Sequence, residues 1–96
     1  MTYVIVARWH AREGEAKNVE SILHDLVPAS RKEPGVLQFI AHRSADNPNE
    51  FLLYEQCKNE QAFADHQQTE HFKKLVLGRA VPLLAHRERL PFNVLS

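Results

Sequence analysis

The spacing of hydrophobic positions changes repeatedly along this chain, and each change marks an element. From Tyr3 to Ala11 the side chains alternate, with Tyr3, Ile5, Ala7 and Trp9 on one face and Val4, Val6, Arg8 and His10 on the other, which is the period of a strand. Gly14 then marks a turn. Between Ala16 and Ser30 the apolar set Val19, Ile22, Leu23, Leu26 and Val27 follows the stripe of an amphipathic helix. Pro28 removes the backbone bond to the carbonyl of His24, so a kink is expected before Lys32, and Glu33-Pro34-Gly35 ends the helix. Val36 to Arg43 and Phe51 to Cys57 read as two further strands, joined by the turn-rich run Ser44-Ala45-Asp46-Asn47-Pro48-Asn49. Asn59 is placed to cap a second helix and Thr69 to cap a continuation carrying Phe72, Leu75 and Val76, which predicts a broken helix closed by Gly78 and Pro82. A weak final strand is expected over His86 to Pro91.

The order is βαββαβ, an α+β arrangement in which both helices of a ferredoxin-like sheet lie on one side. Residues 1–96 leave room for one domain, and a domain of this length has a modest core. The sheet's second face carries valines and aromatic residues without cover, so a homodimer packed sheet against sheet is expected.

Charge and composition remove several classes. Twelve Lys and Arg balance twelve Asp and Glu, so the positive field of a nucleic-acid binder is missing. No apolar run approaches the roughly 20 residues that span a bilayer, so no membrane partner is expected. The lone Cys57 excludes an internal disulfide and no leader pattern opens the chain, so a reducing cytoplasm is the expected location. GxGxxG, Walker, HExxH, CxxC and GxSxG patterns are all missing, and no cofactor is expected.

Six histidines remain as the chemical hint. His66 and His71 stand five residues apart around Gln67-Gln68-Thr69; an unbroken helix would send them to different faces, whereas a break lets them converge. They lack the i, i+4 spacing of metal ligands and a third ligand is not evident, so no metal site is expected. An imidazole near its ordinary pKa of about 6.5 exchanges protons at neutrality with little tuning, which makes acid–base work the better functional reading; half-buried histidines bonded to backbone are the plain alternative. Arg8 is a cation that could stabilise an anion, or a solvated strand residue. Glu55 sits between Leu53 and Cys57 on its face, where burial would raise its pKa and a partner would lower it. Cys57 reads as a small buried hydrophobe. Phe39, Tyr54, Phe63 and Phe72 read as core, some of them lining any pocket that exists.

The segments Tyr3-Val4-Ile5-Val6-Ala7-Arg8-Trp9, Glu33-Pro34-Gly35, Phe51-Leu52-Leu53-Tyr54-Glu55 and Ala62-Phe63-Ala64-Asp65-His66-Gln67-Gln68-Thr69-Glu70-His71-Phe72 together resemble the antibiotic biosynthesis monooxygenase family over nearly the whole chain. The resemblance implies a dimeric α+β barrel of two ferredoxin-like subunits, each with a pocket between helices and sheet. It also implies oxygenase chemistry without flavin, haem or metal, acting on a small aromatic substrate (a quinol or polycyclic phenol) and O2. On that basis His66 and His71 are the expected base and anion-holding donor, and Arg8, Tyr54, Phe39, Phe63 and Phe72 the expected substrate contacts.

The chain departs from its relatives at Cys57, where members commonly carry Trp two residues after the strand-three Glu. Ala7 and Arg8 on strand one, His66, and Leu75 and Val76 replace the residues that haem-degrading relatives need, which disfavours haem degradation. Two other readings stay open. One is an isomerase of a phosphorylated autoinducer-2-like signal, with Arg87 or Arg89 holding the phosphate. The other is a small-molecule binding or stress module without catalysis.

Overall fold

The computed structural model describes all 96 residues. Its elements are β1 (Tyr3–Ala11), α1 (Ala16–Arg31), β2 (Val36–Arg43), β3 (Glu50–Cys57), α2 (Glu60–Gln67), a π-helix (Phe72–Ala80), a 3-10 turn (Val81–Leu83) and β4 (Leu84–Asn93). The strands form one antiparallel sheet in the order β2-β3-β1-β4. Each helical arm therefore connects two strands that flank a third, as the ferredoxin-like expectation requires.

Alternation decides which side of the sheet is dry. Ile5, Ala7 and Trp9 of β1, Phe39 of β2, and Phe51, Leu53 and Cys57 of β3 pack with Val19, Ile22, Leu23 and Leu26 of α1 and with Ala62, Phe63, Leu75, Val76 and Ala80 of the second arm in one buried cluster. Each fully buried Phe, Leu or Ile in it is worth about 1.5–3 kcal/mol. The opposite face stays open: Ile40, Tyr54, Val6 and Leu90 stand side by side across the sheet, with Val4 beside Phe92 in the next row. Leu90 and Phe92 are 45% and 51% exposed there.

Three details differ from the sequence expectations. The α-helical backbone of α1 continues through Pro28 to Arg31. Gly78 does not close the second arm but lies inside the π-helix, and the 3-10 turn containing Pro82 ends it. β4 is longer than its pattern indicated because pairing with β1 extends it to Leu84 and Asn93, with a register shift beside His10.

The turn after α1 is held against the start of α2. Arg31 Nε donates to the Phe39 carbonyl at 2.9 Å, and the Lys58 amide donates to the Gly35 carbonyl at 2.9 Å. A Cβ on Gly35 would stand 2.6 Å from the Cβ of Ala62, so only glycine lets these segments approach so closely. This contact brings Glu33 to the second arm.

Candidate active site

Asn59 caps α2, its Oδ1 accepting from the Ala62 amide at 2.8 Å, and the helix delivers His66 in its last turn. Thr69 makes the break. Its hydroxyl donates to the His66 carbonyl at 2.8 Å and accepts from the Phe72 amide at 3.2 Å, so one side chain closes α2 and restarts the helical path. The change of course turns His71 back toward His66.

Both rings meet Glu33. His66 Nδ1 lies 2.7 Å and His71 Nε2 lies 2.6 Å from the same carboxylate oxygen, Glu33 Oε2. With both imidazole N–H groups donating to that oxygen, His66 is fixed in the tautomer that leaves Nε2 with a free lone pair. Burial holds the His66 pKa below its ordinary value, outweighing the hydrogen bond to Glu33 and that carboxylate's charge, which pull the other way. The ring is therefore neutral at pH 7 and able to accept a proton.

His66 Nε2 points toward Glu55, whose Oε1 is 3.6 Å away. Between them and the sheet lies a small cavity of about 30 Å³, walled by Ala7, Trp9, Leu26, Phe39, Leu53, Glu55, Phe63, His66, Phe72, Val76, Arg87 and Arg89. The Phe39, Phe63 and Phe72 rings stand 5.5, 6.0 and 5.2 Å from the His66 ring, centroid to centroid. Larger surface grooves of about 430 and 490 Å³, one along α1 and β2 and one beside Arg8 and Glu50, contain no buried ionisable group.

The residues expected from the sequence divide into two sets. His66, Phe39, Phe63 and Phe72 line one cavity, whereas His71 is not in its wall; it shares the Glu33 carboxylate with His66, and its ring stands 6.2 Å from the His66 ring, centroid to centroid. Arg8 and Tyr54 lie on the open face of the sheet, away from His66, because they alternate with the core residues Ala7 and Trp9, and Leu53 and Glu55. Arg8 pairs there with Glu50 and Glu88, at 3.6 and 3.4 Å. The Glu50 carboxyl is held below its usual range, first by its hydrogen bond with His10.

Glu33, Arg87 and Arg89 were not among the expected catalytic or aromatic-binding positions. Nothing local to the Glu33-Pro34-Gly35 turn points to His66; the only signal was that this turn belongs to the family pattern. Glu33, His66 and His71 present ligand atoms within 4.8 Å of one another, a spacing suited to a divalent cation, although both hydrogen bonds to Glu33 already satisfy the nitrogens facing it. Cys57 is buried and its thiol is pushed up to about 11, chiefly by burial, which leaves it a packing residue at neutral pH.

Comparison with known proteins agrees with this architecture. A protein of Pseudomonas aeruginosa is 30% identical, with a TM-score of 0.91 over 99% of this chain and 95% of its own. A Nitrosomonas europaea protein named as a candidate antibiotic biosynthesis monooxygenase is 24% identical, with a TM-score of 0.94 over 98% of this chain and 90% of its own. A Mycobacterium tuberculosis protein is 20% identical, with a TM-score of 0.91 over 100% and 97%. These last two likenesses show the fold. No curated protein matches the chain. The family model described as antibiotic biosynthesis monooxygenase matches residues 2–76, from the start of β1 into the π-helix and including Glu33, His66 and His71. The chain belongs to the antibiotic biosynthesis monooxygenase family.

Proposed function

We propose that this protein is a cofactor-independent monooxygenase that oxidises a small quinol or polycyclic phenol with O2, working in the cytoplasm as a homodimer. The observation that carries this reading is the neutral His66 ring, with Nδ1 bonded to Glu33 and Nε2 aimed into an aromatic-walled cavity. An electron-rich phenol needs little from a protein beyond removal of its proton. The phenolate itself reduces dioxygen, so a fixed base and an apolar enclosure perform the protein's share. His66 is the base. His71 and Glu33 hold its tautomer and orientation, much as a carboxylate orients a catalytic histidine elsewhere.

The cavity's 30 Å³ is about a tenth of the smallest ordinary ligand pocket, roughly 300 Å³. Substrate admission therefore requires the cavity wall to open. No helix is long and apolar enough to cross a membrane.

The dimer reading rests on the apolar row Ile40, Tyr54, Val6 and Leu90 with Phe92 beside it, a surface a second copy of the same sheet would cover. In that assembly Arg8 and Tyr54 act at the subunit junction rather than in the cavity. Sedimentation at micromolar concentration is expected to give twice the chain mass, and Leu90→Glu with Phe92→Glu to give the single mass; a wild-type monomer contradicts the dimer.

A second reading has one specific support. Arg87 and Arg89 both border the cavity, where they would bind the phosphate of a sugar-phosphate isomerase substrate. Oxygen uptake separates the two. Metal-free protein is expected to consume O2 with anthrone or a naphthoquinol faster than spontaneous oxidation; proton exchange on a sugar-phosphate without O2 consumption selects the isomerase instead.

A further inference from the structure

Glu55 is a second buried ionisable group in the cavity wall, and proton abstraction by His66 leaves it without a role. Its β1 and β2 neighbours in the sheet are Ile5 and Phe39. The residue is only 6% exposed. His66 faces it from α2, Arg87 and Arg89 from β4, and Glu33 acts on it from the turn after α1. A carboxyl in this position is hard to explain by packing, since an apolar residue would fill the same place without loss of hydration.

We propose that Glu55 is the general acid of the oxygenation, donating its proton to the substrate-bound peroxide from across the cavity while His66 serves as base. This rests on the monooxygenase reading. The placement supplies the geometry: His66 Nε2 and Glu55 Oε1 lie 3.6 Å apart and both line the same cavity of about 30 Å³, so one bound substrate can meet both groups. Burial is the largest influence on Glu55 and raises its pKa from 4.5 to about 8; Arg89 pulls it down and Glu33 adds to the rise. Glu55 is thus protonated at pH 7 and His66 is not, an opposed pair of the kind that divides acid and base roles.

The reaction closes without a further reagent. His66 takes the phenol's O–H proton, and the phenolate carbon para to that oxygen forms a C–O bond with O2, leaving a terminal O⁻. Glu55 protonates that oxygen to give the hydroperoxide. The resulting Glu55 carboxylate then takes the hydrogen on the same carbon as a proton; the C–H electron pair forms C=O, the O–O bond breaks and hydroxide leaves. Protonated His66 converts hydroxide to water. The organic product is a quinone, both side chains return to their starting states, and the four electrons that reduce O2 come from the substrate.

The test uses the whole protein with anthrone as probe. In Glu55→Gln, oxygen uptake is expected to fall by about 10²-fold or more, and the decline of wild-type activity above about pH 8 to disappear. Without O2, formation of the bound anthrone anion, followed by its absorption band, is expected to persist in Glu55→Gln and to be lost in His66→Gln. Glu55→Asp, which keeps the acid, is expected to recover part of the uptake. Unchanged uptake and pH profile in a folded Glu55→Gln protein overturns the assignment. Loss of the anaerobic anion in that variant also overturns it, since Glu55 would then only position the base. Wild-type protein that shows no uptake above autoxidation overturns the oxygenase reading first and this role with it.

Discussion

Replacing His66 by Gln is expected to lower oxygen uptake by about 10²- to 10⁴-fold, the usual contribution of a positioned general base. Gln approximates the ring's reach and keeps a polar end for Glu33, so the fold is expected to survive, but an amide has no basic nitrogen to offer at Nε2. The loss follows from a single directed lone pair. His66 is almost fully buried among Phe39, Phe63 and Phe72, and its other nitrogen is committed to Glu33. His71→Gln removes the second donor on Glu33 without touching the cavity, and its effect is expected to be smaller. The check is steady-state uptake of the two variants with thermal unfolding as a control for folding. Equal losses in both would mean that the cluster acts as one unit; no loss in His66→Gln would remove the base.

The second large effect is on stability. Glu55 has a folded pKa raised to about 8, so the folded state keeps its proton where an unfolded carboxyl has lost it. Between pH 4.5 and 8 the unfolded state therefore binds fewer protons, and this group's contribution to stability is lost as pH rises through that window. Forcing the buried carboxyl to ionise costs on the order of 3–5 kcal/mol, a large part of the roughly 5–15 kcal/mol that holds a domain together. Glu55→Gln cannot ionise. Its denaturant midpoint relative to wild type is expected to rise steadily from pH 5 to pH 8 and then level off. His66, with its pKa lowered by burial, acts in the opposite sense: its contribution is lost as pH falls below 6.5, and it is present in both proteins, so the difference between them isolates Glu55. A pH-independent difference would mean that Glu55 is ionised throughout.

β1, α1 and β3 are legible because each buries one regular face, so period and core coincide, and β2 is legible from its alternation although only Phe39 in it is fully buried. β4 was faint because it is an edge strand whose charged residues Arg87, Glu88 and Arg89 carry little apolar alternation, and only pairing with β1 defines it. The π-helix could not be foreseen: its wider winding leaves no distinct side-chain signature in residues 72–80.

The site divides along the same line. The histidine pair was legible because Thr69 marks a local break between His66 and His71. Glu33 was not, because it joins them through a tertiary contact that depends on Gly35 fitting against Ala62. Arg8 and Tyr54 lie away from the cavity because strand parity sets each opposite the neighbouring core residues, Trp9 and Leu53 among them.

The account stands or falls on oxygen transfer started by His66 alone. Chelator-treated protein supplied with anthrone and isotopically labelled O2 should place one labelled atom in the quinone and the other in water, at a rate that His66→Gln reduces to the spontaneous level. Product without label, or label incorporated equally fast by His66→Gln, would contradict it.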